Sequence, residues 1–211
     1  MDFARSQAQA EWLAAAARLI VEDGLEYGAA KHQAAEQLGL PPRTPMPDND
    51  SLEEAVREHI ALFCADEQAG ELRVLRERAL VWMHRLEEFR PYIAGAVWNG
   101  TATRHSDIYL HLFADDTKSV EWRLLDKRVS YHPGTLPGNK RQAEREVLTI
   151  EDRIEGWPHG LLIHLVVMTH DDMRGALKRD AKGRSPLGTA AALAALLNNQ
   201  EEDEPSPGVL K

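Results

Sequence analysis

The sequence contains a single cysteine, Cys64, among its 211 residues. One cysteine excludes an intrachain disulfide and any zinc site built from several cysteines. Long apolar runs are also missing, since none approaches the roughly 18 to 20 residues that a membrane-spanning helix needs. The first residues lead into a charged segment rather than the apolar stretch of a signal peptide. These absences predict a soluble, cytoplasmic protein that does not bind membranes.

An excess of basic charge is missing as well. The chain has 25 Lys and Arg against 34 Asp and Glu, which gives a net charge of -9, and residues 1–90 alone hold 17 acidic and 10 basic side chains. A protein that coats nucleic acid needs a basic face to displace counterions from phosphates, so a nucleic-acid partner is not expected. Residues 91–184 are balanced, with 14 basic and 13 acidic side chains, which is compatible with a phosphate ligand there.

Helical periodicity dominates the first 90 residues. It predicts helices over residues 7–23, 29–38, 51–64 and 72–89. Ser51 and Glu54 match a capping box, which would start the third helix at Ser51. The last helix has the longest apolar stripe, with steps of three and four residues. Its members are Leu72, Leu75, Ala79, Trp82, Leu86 and Phe89.

After Pro91 the period changes to the alternation of β-strands. Strands are predicted over residues 92–94, 107–113, 129–132, 147–151 and 161–168, and helices over residues 119–128, 173–179 and 187–197. Pro133-Gly134 and Pro137-Gly138 are predicted turns. The fold class is therefore α+β. We expect a helical part over residues 1–88, a small mixed-sheet α/β domain over 89–183, a helix over 184–197 and a disordered acidic tail over 198–211.

A glycine turn joins the first two predicted strands. Gly95 and Gly100 lie in the turn, and Ser106, Asp107 and Ile108 follow it. This segment resembles the signature turn of the polymerase-β-like nucleotidyltransferase superfamily, in particular its minimal members. In that family a short strand ends in Gly-Ser, and a Ser-Asp-Ile-Asp strand begins after a second glycine. The resemblance covers about residues 72–170, and the whole chain also resembles a group of bacterial proteins with the same helical front half.

The resemblance implies a nucleotide site in an α/β nucleotidyltransferase-like domain. In that family the turn presents backbone N–H groups to a triphosphate, and carboxylates on neighbouring strands hold Mg²⁺ or Mn²⁺. The substrate-binding residues implied here are Gly95, Ala96, Gly100, Ser106 and Tyr109. The implied catalytic residues are Asp107, which is also the implied metal ligand, and His164 on the strand 161–168.

Three positions depart from the family pattern and leave two functions open. Ala96 replaces the serine of the turn, Tyr109 replaces the second aspartate, and His164 is the polar residue on the strand where a third carboxylate is expected. Magnesium prefers oxygen ligands. The chain is therefore either a nucleotidyltransferase-like protein that binds a nucleotide or phosphate compound and transfers a nucleoside monophosphate from a degenerate metal site, or a catalytically inactive relative. The inactive relative would use its helical half to bind a protein partner as an interaction or regulatory module.

Overall fold

The structure is a computed structural model that describes residues 2–136, 144–157, 160–169, 172, 177, 183 and 185–203. The chain divides into two compact units. Unit 1 comprises Met1–Leu72 and Thr101–Ser106, and unit 2 comprises Arg73–Gly100 and Asp107–Lys211. The expected domain boundary at residue 88 stays a prediction, because the density of contacts does not show which segments fold independently.

Unit 1 consists mainly of helices. They are α1 (Asp2–Asp23), α2 (Tyr27–Gln37), α3 (Asn49–Phe63) and the beginning of α4 (Ala65–Arg85). The first three confirm the predicted helices to within a few residues. Their apolar faces form one core, which includes Trp12, Ala16, Leu19, Ala30, Ala34, Leu52, Val56 and Ile60. The indole Nε1 of Trp12 donates a hydrogen bond to the backbone oxygen of Lys31 at 2.8 Å and so fixes α1 to α2.

The predicted capping box at the start of α3 is wrong. The N-cap is Asp48, whose Oδ1 accepts a hydrogen bond from the backbone N–H of Ser51 at 2.7 Å. This hydrogen bond holds the pKa of Asp48 below its usual value. Aspartate caps a helix at least as well as serine, and its charge also interacts favourably with the helix N-terminus. Ser51 therefore lies in the first turn, after the cap.

The apolar stripe of α4 is buried along its whole length. Each of its six residues is at most 9% exposed. The helix begins at Ala65, earlier than predicted, and ends at Arg85, after which a 3-10 turn over Glu87–Phe89 places Phe89 in the core. The stripe was thus predicted correctly, whereas the exposed first turns of α4 carry too few apolar residues to show a period.

The described residues of unit 2 form a six-stranded mixed sheet with helices. Its elements are β1 (Tyr92–Ala94), α5 (Gly95–Asn99), β2 (Ile108–Phe113), α6 (Thr117–Asp126), β3 (His132–Leu136), β4 (Arg145–Asp152), β5 (Leu161–Met168), β6 (Leu187–Gly188) and α7 (Ala190–Asp203). The strand order is β3-β4-β5-β2-β1-β6, in which β2 and β5 are parallel and the other neighbours are antiparallel. Helices in the first half and a mixed sheet in the second confirm the α+β class.

The strand predicted at residues 129–132 and the turn predicted at Pro133-Gly134 are both wrong. Residues 127–131 form a turn and loop, and Pro133 and Gly134 lie inside β3. The strand β3 is at one edge of the sheet, where a proline is tolerated because a backbone donor can be missing on the open side. The second predicted turn, Pro137-Gly138, lies outside the described residues.

Two predictions concern the end of the chain. Residues 187–197 were predicted as one helix, but Leu187 and Gly188 form β6, and α7 runs from Ala190 to Asp203, past the predicted end. Glutamine and glutamate are good helix formers, which explains why the polar residues after Asn198 continue the helix. The helix predicted over residues 173–179 lies outside the described residues, apart from Leu177. Residues 204–211 of the chain also lie outside them. None of the helices that the structure describes has the length and apolarity required to cross a membrane.

Candidate functional site

The glycine turn follows β1 and contains the short helix α5. Gly95 has φ +69° and Gly100 has φ +84°, both in the left-handed region that favours glycine. The backbone N–H of Gly100 donates to the carbonyl of Ala96 at 2.9 Å and closes α5. The two glycines are therefore required by the backbone at both ends of this helix.

A buried arginine supports the turn from α4. Arg76 is 6% exposed, and its Nε donates a hydrogen bond to the carbonyl oxygen of Val97 at 3.2 Å. Burial lowers the pKa of Arg76 from its usual value. A methyl group added to Gly100 would lie 3.5 Å from the guanidinium of Arg76. Arg76 was not predicted as a site residue, although its place beside Leu75 in the apolar stripe indicates that it is buried.

The next strand, β2, places Asp107 and Tyr109 beside β5. The alternation predicted for β2 is confirmed, since Ile108, Leu110 and Leu112 are all 0% exposed. Tyr109 is directly paired with His164 in the parallel register of β2 and β5. Their rings are tilted by 31°, with centroids 4.7 Å apart.

His164 makes a contact through each ring nitrogen. Its Nε2 lies 3.1 Å from Oδ2 of Asp107, and its Nδ1 lies 3.0 Å from Oγ1 of Thr149 on β4. The side chain of His164 is 16% exposed and that of Asp107 is 32% exposed. The arrangement is a chain of carboxylate, imidazole and hydroxyl, which fixes the orientation of the ring. Thr149 was not predicted, because its pairing with His164 depends on the register of β4 against β5.

The predicted site residues are brought together only in part. Asp107, Tyr109 and His164 form one cluster, and a methyl group added to Gly95 would lie 3.9 Å from the ring of Tyr109. Ala96 is half-buried inside α5. Ser106 belongs to unit 1, where its Oγ accepts a hydrogen bond from the backbone N–H of Thr103 at 3.0 Å. The Ser106 hydroxyl therefore stabilises its own loop.

Trp98 in the glycine turn packs against the segment around β6 within unit 2. Its indole Nε1 donates to the carbonyl oxygen of Ser185 at 2.8 Å. A methyl group added to Gly188 on β6 would lie only 2.3 Å from the indole ring. The lack of a side chain at Gly188 is what allows this close approach.

A second polar cluster lies at the end of β4. Asp152 accepts two hydrogen bonds from the guanidinium of Arg78, each 2.5 Å long, and one from the indole of Trp82 at 2.7 Å. Burial by itself would raise the pKa of Asp152. The hydrogen bonds from Arg78 and Trp82 reverse this effect and hold the pKa of Asp152 below its usual value. This cluster, which the sequence did not predict, fixes α4 to β4.

The donor set around Asp107 does not fit Mg²⁺ or Mn²⁺. Magnesium takes several oxygen ligands in near-octahedral geometry, and this cluster offers one carboxylate, one phenol and an imidazole whose two nitrogens already have partners. Within the part of the chain that the structure describes, no group of three or more His, Cys, Asp or Glu is placed to hold a metal ion. The residues present therefore support no step that runs through a bound metal.

No family model matches the chain, and no curated protein matches it. Solved structures of Cid1 poly(U) polymerase match part of it. The complex with the UTP analogue UMPNPP has a TM-score of 0.31 at 12% identity, covering 48% of this chain and 31% of that one. Another Cid1 structure has a TM-score of 0.33 at 12% identity, covering 53% and 34%.

The MgGTP-bound Cid1 structure gives a TM-score of 0.32 at 13% identity, covering 48% of this chain and 32% of that chain. The match thus spans about a third of the length of these Cid1 chains. Similarity at this level carries no argument about the function of this chain, which must come from its own residues.

Proposed function

We propose that this chain binds a nucleotide or another phosphate compound at the glycine turn of unit 2. The observation that supports the proposal is the cluster of Asp107, Tyr109 and His164 beside Gly95, the first residue of that turn. Gly95, which has a positive φ, puts no side chain at the start of the turn, so that backbone N–H groups there can approach phosphate oxygens.

Each member of the cluster has a role in this proposal. The ring of His164 lines the proposed site, and Asp107 and Thr149 hold it in position through its two nitrogens. Tyr109 presents an aromatic ring beside the turn. Transfer of a nucleoside monophosphate is not part of the proposal, because the donor set does not fit the metal ions that such transfer uses.

Calorimetric titration of the full chain with the four nucleoside triphosphates tests the proposal. We expect at least one of them to bind, with an affinity that changes less than about threefold when Mg²⁺ or Mn²⁺ is added, a difference of under about 0.7 kcal/mol. The absence of binding heat for all four nucleotides and for inorganic pyrophosphate, with or without metal, would remove the proposed function.

A further inference from the structure

Charge is divided unevenly between the two units. Unit 1 holds 14 acidic and 6 basic side chains out of the 34 and 25 in the chain, and so carries a net charge of -8. The remaining 20 acidic and 19 basic side chains belong to unit 2 and nearly cancel. A unit with the charge of unit 1 attracts basic partners and repels nucleic acids and anionic membranes.

Within unit 1, α1 and α3 enclose an open groove of about 400 Å³, which we call the α1–α3 groove. Its floor consists of small or apolar side chains, namely Ala10, Leu13, Ala14 and Ala55. The three residues of α1 have the spacing of one helical face. Small side chains between two ridges allow a further helix to approach closely.

Two large apolar side chains stand at the end of the α1–α3 groove. Leu62 is 75% exposed and Phe63 is 71% exposed, and both line the groove. The ring of His59 contacts that of Phe63, with centroids 4.8 Å apart. Single exposed apolar residues are common on protein surfaces, but this pair continues the apolar floor of a groove. The groove and the pair together form one surface suited to an amphipathic segment.

The side chains that line this surface carry only negative formal charge. Glu54 and Glu58 lie on the rim, and Glu22 lies 3.4 Å from Nε2 of His59. Neither lysine nor arginine occurs among the described residues that line the groove. An apolar floor with an acidic rim is complementary to a helix that has one apolar face flanked by basic residues.

We infer that the α1–α3 groove binds a basic amphipathic helix from a partner protein. Apolar residues of that helix, spaced at i, i+3 and i+4, pack on Leu13, Leu62 and Phe63, and its lysines or arginines face Glu54 and Glu58. A second copy of this chain is a poorer occupant, because its acidic unit 1 would repel that rim and its unit 2 is close to neutral.

Fluorescence anisotropy with the full chain tests this inference. The probe is a fluorescein-labelled peptide of about 16 residues, or roughly four helical turns, with leucines on one face and lysines on the others. One control peptide has the same composition in shuffled order, and a second has glutamate in place of lysine. The variant Leu62→Ser/Phe63→Ser is compared with Trp122→Ser/Leu125→Ser, whose residues are 67% and 59% exposed in unit 2.

We expect the amphipathic lysine peptide to bind at least about tenfold more tightly than the shuffled one. Leu62→Ser/Phe63→Ser should lose about tenfold in affinity, and the unit 2 variant should lose nothing. A Glu54→Lys/Glu58→Lys variant should instead prefer the glutamate peptide, a gain that a misfolded protein would not show. Equal affinity for the shuffled peptide, equal losses in both serine variants, or self-association that depends on Leu62 would overturn the inference.

Discussion

Asp107 and His164 are 57 residues apart in the sequence, yet Oδ2 of one lies 3.1 Å from Nε2 of the other. The parallel pairing of β2 and β5 produces this contact, because it sets Tyr109 directly beside His164 and leaves Asp107 at the entrance of β2. The contact joins the glycine-turn motif to a strand that has no motif of its own.

Replacement of Asp107 by asparagine should weaken nucleotide binding by at least about tenfold, or about 1.4 kcal/mol. The amide keeps an acceptor oxygen for His164 but removes the charge, and hydrogen bonds to charged groups are roughly twice as strong as neutral ones. His164 would therefore be held less firmly against the ligand. Calorimetric titration of the variant provides the measurement. The matched control is Asp126→Asn at the end of α6, and an equal loss in that control would contradict the role of Asp107.

Replacement of Gly188 by alanine should destabilise the protein by roughly 1–3 kcal/mol, the usual cost of overpacking. The added methyl group would meet the Trp98 ring at 2.3 Å, and that ring is held by its hydrogen bond to Ser185. Urea unfolding at neutral pH measures the change. As the control, Gly70→Ala in α4 meets no atom within 4 Å and should stabilise the helix by about 0.5–1 kcal/mol. Equal stabilities for Gly188→Ala and the wild type would show that Trp98 does not occupy this position.

Replacement of Asp152 by asparagine should lower the free energy of unfolding by roughly 1.5–3 kcal/mol, the range for hydrogen bonds to charged groups. The pKa of Asp152 is depressed in the folded state. The stability that the charged Asp152 contributes is therefore complete above the ordinary carboxyl pKa of about 3.9. It is lost as the pH falls below that value.

Chemical unfolding at pH 7 and at about pH 3 separates these effects. The wild type should lose more stability than Asp152→Asn between the two pH values. Glu151→Gln is the neighbouring control. The Glu151 side chain is 75% exposed, and its ion pair with His132 is long, with 3.8 Å between Oε1 and Nε2. A change above about 1 kcal/mol in Glu151→Gln would indicate that the whole strand end, and not the Asp152 cluster, is responsible.

Because of His111, the protein should lose stability as the pH falls from neutral to mildly acidic values. Burial, with a smaller contribution from Arg145, lowers the pKa of His111 to about 4, and its Nδ1 is buried with no hydrogen-bond partner among the described residues. Below the ordinary pKa of about 6.5 the unfolded chain binds a proton that the folded protein excludes. Stability due to this group is complete above pH 6.5 and falls toward pH 4, by up to about 1.4 kcal/mol per pH unit.

Urea unfolding at several pH values between about 7 and 4.5 checks this slope in the wild type and in His111→Leu. The leucine variant should show a shallower slope. His132→Asn is the control, since the His132 side chain is 74% exposed. Identical slopes in the wild type and His111→Leu would mean that the ring of His111 reaches solvent.

Elements of this fold could be predicted where a pattern of apolar residues repeats along a short stretch of sequence. Features that depend on contacts between distant segments could not. The apolar stripe of residues 72–89 and the alternation of β2 were predicted because each repeats over a short continuous stretch of sequence. The edge strand β3 was missed, since Pro133 and Gly134 are ordinary turn residues and only its place at the sheet edge makes them acceptable. The cap of α3 was assigned to Ser51 because Asp48 and Ser51, three positions apart, are both residue types that cap helices.

The candidate site shows the same limit. Gly95, Gly100 and Asp107 could be selected from a short contiguous motif, and His164 from its polarity on an apolar strand. Thr149 and Arg76 have no local signal of function, since the first depends on strand register and the second on the packing of α4 against the turn. The contact of the Ser106 hydroxyl with the backbone N–H of Thr103 was not predicted, because a motif does not show which backbone groups lie beside a side chain.

Nuclear magnetic resonance titration of the isotope-labelled full chain tests the central claim most directly. The amide signals of Gly95 and Gly100 and the ring signals of His164 would be followed while a nucleoside triphosphate is added. We predict saturable shifts that are largest at these three residues and that are strongly reduced in Asp107→Asn. Shifts confined to unit 1, or no shift at millimolar nucleotide, would contradict a phosphate-binding site at the glycine turn.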